Sequence, residues 1–240
     1  MLVVTVPAAA FGTNCYVLAP AAGEECLIVD PGIGVLDGID DALRQHHLRP
    51  TAVLLTHGHA DHIYSVTPVC GAQDVPAYLH NADRYRLVDP LALLDPMLIA
   101  MLEQQFGRKA TWSEPANVRA LTDGAVLALA GLQVRVDHAP GHTEGSVLFR
   151  LPTDLSEGAE VCVSGDVLFA GSIGRTDLPG GDHSAMLRSL ATKILTLRDD
   201  TVVLPGHGPT TTIGAERATN PYLRGLRPRD HEQFAPGYGR

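Results

Sequence analysis

The chain has 240 residues, of which 45% are hydrophobic and 19% are charged, and its formal net charge is −9 at pH 7. This length and composition predict one globular domain of ordinary size, and the negative charge argues against a nucleic-acid partner bound through a broad basic surface. No apolar run approaches the ~18 residues of a membrane span, so we expect no membrane partner, and four widely spaced cysteines without a C-x-x-C pair indicate a reduced, cytoplasmic location.

The first third of the chain alternates short apolar runs with turn signals. The apolar runs predict strands over residues 2–6, 15–19, 26–30, 51–56 and 75–80. The third run ends in Asp30-Pro31-Gly32, which is a turn signal. Apolar residues at helical spacing predict a helix over 35–48, and a second helix is predicted from Asp61 to about Cys70.

Residues 81 to about 115 differ from the rest of the chain, because leucine and methionine recur there at helical spacing with Pro90 and Pro96 as start or break signals. We therefore predict a helical insertion at 81–115. Later patterns predict strands within 125–140, 146–151, 160–169 and 201–209 and a helix over 183–198. Two groups of strands with helices between them predict a layered α/β (α+β) fold, as a single domain over 1–240 with a short C-terminal extension at 210–240.

The segment HGHADH, residues 57–62, follows the strand predicted at 51–56 and contains three histidines and an aspartate. Neutral imidazoles and carboxylates are ligands that suit zinc, iron or manganese. His57 and His59 are two residues apart and can converge on one ion, whereas Asp61 and His62 are offset and could serve a second ion. Four residues cannot complete a two-metal site, so further ligands must come from elsewhere in the chain.

Three further candidates stand at the ends of predicted strands. They are His142 in APGHTEGS, Asp166 in VSGDVLF and His207 in VLPGHGP. Ligand loops in α/β proteins gather where strands end, and the glycine before each candidate lets the backbone turn sharply. The full set of seven residues predicts a metal site rather than a group of ordinary structural histidines.

The order T-H-x-H-x-D-H, then G-H, G-D and G-H, resembles the signature of the metallo-β-lactamase-fold hydrolase superfamily. The resemblance covers roughly residues 1–210 and implies an αββα sandwich with a dinuclear metal site. It implies that one metal is bound by His57, His59 and His142, that the other is bound by Asp61, His62 and His207, and that Asp166 bridges both. The expected metals are two divalent ions, with zinc favoured and iron or manganese as alternatives.

Within the superfamily, the chain is most similar to short bacterial hydroxyacylglutathione hydrolases, the glyoxalase II branch. The similar segments are TNCYVL, VDPG, THGHADH and GDVLFAGSIGRTDLPGGD. The residues after His207 are too few for the helical substrate domain of longer glyoxalases II, which places the usual glutathione contacts in doubt. Arg175 stands where a cationic substrate contact is expected, whereas the C-terminal arginines 217, 224, 227 and 229 fit either a solvated or oligomer-forming segment or an anion site.

The expected activity is hydrolysis of a small-molecule thioester of the S-lactoylglutathione type. In this reading Asp61 orients or deprotonates the metal-bound water, and Asp166 holds the bridging hydroxide. A thiol with a pKa near ~8.5 leaves with little help from an acid, and the motifs contain no obvious dedicated acid. Asp166 also stands where many zinc β-lactamases of the superfamily carry cysteine, which argues against lactam hydrolysis.

Several alternatives stay open at this stage. A persulfide dioxygenase of the same fold would hold one iron with His57, His142 and Asp166. A lactonase or another ester hydrolase would use the same ligands, and a binding module would keep the metal for structure only. Asp30 either orients a ligand histidine or serves its turn, and His183 either acts near the site or only begins a helix.

Overall fold

The computed structural model describes residues 1–107, 109–153 and 159–227. The chain divides into two compact units, Met1–Leu121 with Leu127–Gln133 and Thr122–Val126 with Val134–Arg240. The single domain over 1–240 stays a prediction. Residues 228–240, which include Arg229 and the end of the predicted C-terminal extension, lie outside the described residues.

The first sheet has six strands in the order β1-β2-β3-β4-β5-β6. Their bounds are Leu2–Pro7 (β1), Asn14–Ala19 (β2), Glu25–Val29 (β3), Arg49–Leu54 (β4), Ala77–His80 (β5) and Val118–Leu121 (β6). Strands β1 to β3 pair antiparallel, and β3 to β6 pair parallel. Every residue of β2 is buried, as the continuous apolar run predicts for a strand covered on both faces. The sequence predicted five of these strands and missed β6.

Helices α1 (Leu36–His46), α2 (Ala60–Ile63) and α3 (Val66–Gln73) belong to the first unit. The prediction of one helix from Asp61 to Cys70 is wrong, because the chain forms two helices there. Ser65 lies between them and bonds to the preceding turn instead of continuing the helix. Its backbone N–H donates to Pro31 O at 2.9 Å, and its hydroxyl donates to Gly32 O at 2.6 Å.

The insertion is less helical than predicted. It contains two 3₁₀ helices, Asn81–Leu87 and Leu91–Leu93, and helix α4 over Pro96–Phe106. Asp95 caps α4 by accepting the N–H of Met97 at 2.7 Å, and Pro96 occupies the first helical position, as its fixed φ favours. Residues 109–115 are not helical, and Trp112 there donates its indole N–H to Leu87 O at 2.8 Å.

The second sheet also has six strands, in the order β12-β11-β10-β9-β8-β7. Their bounds are Val126–Leu129 (β7), Leu132–His138 (β8), Val147–Pro152 (β9), Glu160–Gly165 (β10), Val202–Pro205 (β11) and Thr211–Thr212 (β12). The helix predicted over 183–198 is helix α5, His183–Ser189, followed by a π-helical turn, Leu190–Ile194. Helix α6, Ile213–Thr219, and the two-residue β12 were not predicted.

Each unit has its own apolar core, rich in valine, leucine, isoleucine and alanine. The thiols of Cys15, Cys26, Cys70 and Cys162 are all buried. Burial raises the pKa of the Cys26 thiol to about 12 and that of the Cys70 thiol to about 11. Within the described part of the chain, no helix is both long and apolar enough to cross a membrane.

Candidate metal-binding loops

The loop after β4 is held in place by Asp30, which follows the neighbouring parallel strand β3. The N–H of Asp30 donates to Leu54 O at 3.0 Å, which aligns the ends of the two strands. The Asp30 carboxylate then accepts the Thr56 N–H at 2.8 Å and the Thr56 hydroxyl at 2.6 Å. Asp30 is 1% exposed and has φ of +49°, a conformation that aspartate tolerates better than most residues.

These contacts fix the proton position on His57, which is fully buried. Its Nδ1 lies 3.1 Å from the Thr56 hydroxyl oxygen. The single hydroxyl proton of Thr56 is already donated to Asp30, so Nδ1 must donate to Thr56 and Nε2 carries the lone pair. Nε2 of His57 lies 3.2 Å from Nδ1 of His59.

Asp30 fixes His62 in the same way. His62 is fully buried, and its Nδ1 lies 2.9 Å from Asp30 Oδ2. Because a carboxylate accepts, Nδ1 carries the proton and Nε2 carries the lone pair, 3.5 Å from Asp61 Oδ2. That Asp61 oxygen also accepts the Thr13 hydroxyl at 3.0 Å. Asp30 therefore orients a histidine that the sequence proposes as a ligand, while it also occupies the turn.

In the second unit, the parallel strands β10 and β11 end side by side, with Gly206 N–H donating to Gly165 O at 2.8 Å. This pairing brings together Asp166 and His207, each one residue further along. Oδ2 of Asp166 lies 3.6 Å from Nε2 of His207 and 3.4 Å from Nε2 of His142.

His142 is oriented by the backbone of Arg175. Its Nδ1 lies 2.7 Å from Arg175 O, and a carbonyl only accepts, so Nε2 of His142 carries the lone pair toward Asp166. The close packing of this loop requires glycine at 174. A Cβ there would lie 1.9 Å from Asp166 O and 3.0 Å from His142 Nδ1.

The Arg175 side chain forms an ion pair on the surface. It donates two hydrogen bonds to Asp177, at 2.8 and 2.7 Å, and these hold the pKa of the Asp177 carboxyl at about 2. His183 begins α5, where Asp182 caps the helix by accepting the Ala185 N–H at 2.9 Å. The Thr176 hydroxyl lies 3.4 Å from His183 Nδ1, and the structure gives His183 no further role.

Sequence reasoning missed three supporting residues. Thr13 and Thr56 contact Asp61 and Asp30, and Thr56 could have been suspected because it opens the T-H-x-H-x-D-H motif. Asp83 accepts the Gly58 N–H at 2.8 Å. No motif or spacing in the sequence indicates that contact.

The separations between candidate ligand atoms are those expected of ligands around an ion. Two ligands at zinc distances and a tetrahedral angle are about 3.4 Å apart. Four pairs match this value: His57 with His59, His62 with Asp61, and Asp166 with each of His142 and His207, at 3.2–3.6 Å. In His57, His62 and His142 the hydrogen bond at Nδ1 also leaves the lone pair on Nε2, which is the nitrogen that makes the short distance in each pair. The residues of each unit therefore fit a divalent metal.

Comparison with known proteins agrees with this chemistry. The family model described as the metallo-beta-lactamase superfamily matches residues 8–207. The hydroxyacylglutathione hydrolase GloC of Haemophilus influenzae is 32% identical over 225 residues, which cover 91% of this chain and 96% of that protein.

Among the similar solved structures, two match this chain over nearly its whole length at 37–40% identity. The crystal structure of BLEG-1 B3 metallo-β-lactamase has a TM-score of 0.75 and 40% identity, and that of TTHA1623 in a di-iron-bound form has a TM-score of 0.71 and 37% identity. Each match covers 93% of this chain and 100% of the other. These likenesses confirm the predicted α/β fold class, and the chain belongs to the metallo-β-lactamase superfamily, as one of its metallo-hydrolases.

Proposed function

We propose that the protein is a dinuclear metal-dependent hydrolase of thioesters, similar to glyoxalase II, which converts an S-acyl thiol of the S-lactoylglutathione type to a carboxylic acid and a free thiol. The observation that carries the proposal is the set of four ligand-atom pairs at 3.2–3.6 Å with oriented histidines. The similarity to GloC, named as a hydroxyacylglutathione hydrolase, supports the substrate class.

The proposed ligands are the seven residues of the sequence signature. His57, His59 and His142 would hold one ion, Asp61, His62 and His207 the other, and Asp166 both. The approach of His142 and His207 to the same oxygen of Asp166 supports the bridging role. Zinc is the metal we propose, and the di-iron form of TTHA1623 makes iron the alternative to test, with manganese after it.

A bound divalent pair would supply Lewis acidity toward the substrate carbonyl and lower the pKa of water. The protein's own part is orientation. Thr13 donates to Asp61 Oδ2 and so fixes the carboxylate that would accept a proton from the attacking water. Arg175 is 61% exposed at its side chain and would attract an anionic thiol carrier. The leaving thiolate needs little protonation, so no further acid is required.

A second candidate substrate is a β-lactam. The 40% identity to a protein named as a B3 metallo-β-lactamase favours it. A lactam nitrogen leaves less readily than a thiolate and needs a proton, and the sequence motifs contain no obvious dedicated acid. We therefore place thioester hydrolysis first.

The deciding experiment measures steady-state hydrolysis of S-lactoylglutathione by protein loaded separately with zinc, iron and manganese. Parallel assays use a chromogenic cephalosporin and, for the dioxygenase alternative, oxygen uptake with glutathione persulfide. We expect thioester turnover that is lost in His59→Ala and kept in His46→Ala, a histidine on α1 outside the signature. Turnover of the cephalosporin alone, or oxygen uptake alone, would overturn the thioesterase proposal.

Three further expectations from the sequence stay proposals. They are a small-molecule thioester as partner, a cytoplasmic location and assembly as a homo-oligomer.

A further inference from the structure

A buried ion pair at the start of the insertion contacts the peptide between two candidate metal ligands. Asp83 and Arg86 lie in the 3₁₀ helix Asn81–Leu87, are 0% and 2% exposed, and approach each other at 3.4 Å between Oδ1 and Nε. The other Asp83 oxygen, Oδ2, accepts the N–H of Gly58 at 2.8 Å. Gly58 separates His57 from His59.

Arg86 also determines which residue fits at position 58. Gly58 is not among the residues with positive φ, so no left-handed backbone conformation requires glycine there. A Cβ at Gly58 would nevertheless lie 2.7 Å from Cδ and 2.8 Å from Cβ of Arg86. Glycine is therefore required by the arginine packed against it, and the stem of Arg86 blocks movement of the loop toward the insertion.

The other side of the same loop is held by different groups. His57 Nδ1 contacts Thr56, and Thr56 is bonded to Asp30. These hydrogen bonds fix the His57 ring, but neither of them involves the peptide that sets the spacing from His57 to His59. The hydrogen bond to Asp83 supplies that contact from a segment 25 residues further along the chain.

We propose that Asp83 and Arg86 are positioning residues that fix the His57-Gly58-His59 segment for metal binding. Burying a charged pair is costly, and removing one of its two partners is strongly destabilising because the other charge stays buried without a counter-charge. Here the pair satisfies a buried backbone N–H and fills the space beside Gly58, so it sets the distance between two candidate ligand nitrogens, now 3.2 Å. The inference rests on the proposed metal binding, and not on the choice of substrate.

The test measures zinc affinity of the full chain by competition with a chromophoric chelator, together with the absorption spectrum of the cobalt-substituted protein. Asp83→Ala removes the acceptor, and we expect zinc to bind about 10- to 100-fold more weakly, as for other outer partners of metal ligands, with an altered cobalt spectrum. Asp83→Asn keeps an oxygen that can accept the Gly58 N–H but leaves Arg86 without its anionic partner, so we expect it to recover only part of the affinity.

Two controls separate positioning from loss of stability. Ile39→Ala removes a core side chain of α1 in the same unit and should lower the free energy of unfolding without weakening zinc binding. Gly58→Ala presses on Arg86 without removing a charge and should weaken zinc binding, whereas Gly71→Ala, where a Cβ meets nothing within 4 Å, should not. These glycine variants keep the test decisive if Asp83→Ala does not fold.

Zinc affinity of Asp83→Ala and Gly58→Ala equal to that of the wild type, or reduced no more than in Ile39→Ala, would overturn the inference and leave the proposed function intact. A wild-type protein that binds no divalent metal would overturn the proposed function itself.

Discussion

The carboxylate of Asp30 lies 2.9 Å from Nδ1 of His62, and the same Oδ2 accepts the hydroxyl of Thr56 at 2.6 Å. One buried side chain at the end of β3 therefore orients His62 directly and His57 through Thr56. Both histidines present Nε2 as the atom with the lone pair. Asp30 therefore contacts, directly or through Thr56, two of the candidate metal ligands of the first unit.

Replacing Asp30 with asparagine should weaken metal binding. Asparagine tolerates the same positive φ, but its amide has one acceptor oxygen for three donors. We expect zinc affinity to fall about 10- to 100-fold, measured by chelator competition. Asp41→Asn, on the exposed face of α1, is the control and should bind zinc as the wild type does. Unchanged affinity in Asp30→Asn would show that the contact does not orient the ligands.

Replacing Gly174 with alanine should destabilise the second unit. The new Cβ would overlap Asp166 O at 1.9 Å, and the neighbouring atom is backbone, which moves only at a cost. We expect a loss of about 1–3 kcal/mol or more in the free energy of unfolding, measured in denaturant. Gly71→Ala in α3 meets no atom within 4 Å and should stabilise by about 0.5–1 kcal/mol. Equal stability of the two variants would contradict the packing described.

Removing the Arg175 side chain should affect substrate binding more than turnover. An exposed cation already paired with Asp177 attracts an anionic group only weakly through solvent, so Arg175→Ala should raise KM for S-lactoylglutathione by at most about fivefold with kcat little changed. Arg198→Ala is a matched control, because Arg198 makes the same two hydrogen bonds to Asp200, two residues on. An equal KM in Arg175→Ala and Arg198→Ala would show that Arg175 does not contact the substrate.

Glu216 should anchor the loop that leads to Arg175. Its buried carboxylate accepts Gly171 N–H at 2.7 Å, the Thr211 hydroxyl at 2.7 Å and the Asn220 amide at 2.8 Å. Glu216→Ala leaves these donors unsatisfied and should cost about 2–4 kcal/mol of stability. Hydrogen exchange at the Gly171 amide should become faster. Glu24→Ala, at an exposed position, should change neither the stability nor the exchange rate. Exchange at Gly171 as slow in Glu216→Ala as in the wild type would contradict the anchoring role of Glu216.

Stability should fall at alkaline pH because of the buried thiols. Burial raises the pKa of Cys70 to about 11 and that of Cys26 to about 12, from an ordinary value of 9.0. The folded chain then holds protons that the unfolded chain releases, so the stabilisation is complete below pH 9 and is lost as pH rises toward 11–12. Urea unfolding under reducing conditions at pH 8 to 10.5 measures this decline. In Cys70→Ala the free energy of unfolding should decline less steeply with pH. A free energy of unfolding that stays constant above pH 9 in the wild type would contradict the prediction.

The sequence could predict what depends on residue type and on order along the chain. His57, His59, Asp61 and His62 follow a recognisable strand, and strand ends lie at one edge of a sheet, so their placement just beyond the end of β4 was predictable. Contacts between segments that are distant in the sequence were not predictable. The bond from Ser65 to Gly32 splits a predicted helix, and the sequence carries no sign of it.

The same limit explains the missed supporting residues. Asp83 and Glu216 each stand in segments without a motif, and their roles arise from backbone N–H groups that the fold brings to them. Asp30 was open between two interpretations, a turn residue and a partner of a ligand histidine, and the structure places its carboxylate 2.9 Å from Nδ1 of His62, a candidate ligand. Helix α6 and strand β12 are too short for periodicity to reveal.

The contact between His142 and residue 175 is made through a backbone carbonyl, an atom that all twenty amino acids possess. Evolution can therefore exchange the side chain at 175 while the imidazole keeps its tautomer, and a carrier preference set by that side chain, as proposed above, would change independently of the metal ligands. A saturation library at this position should yield enzymes that differ in substrate choice and share one metal affinity.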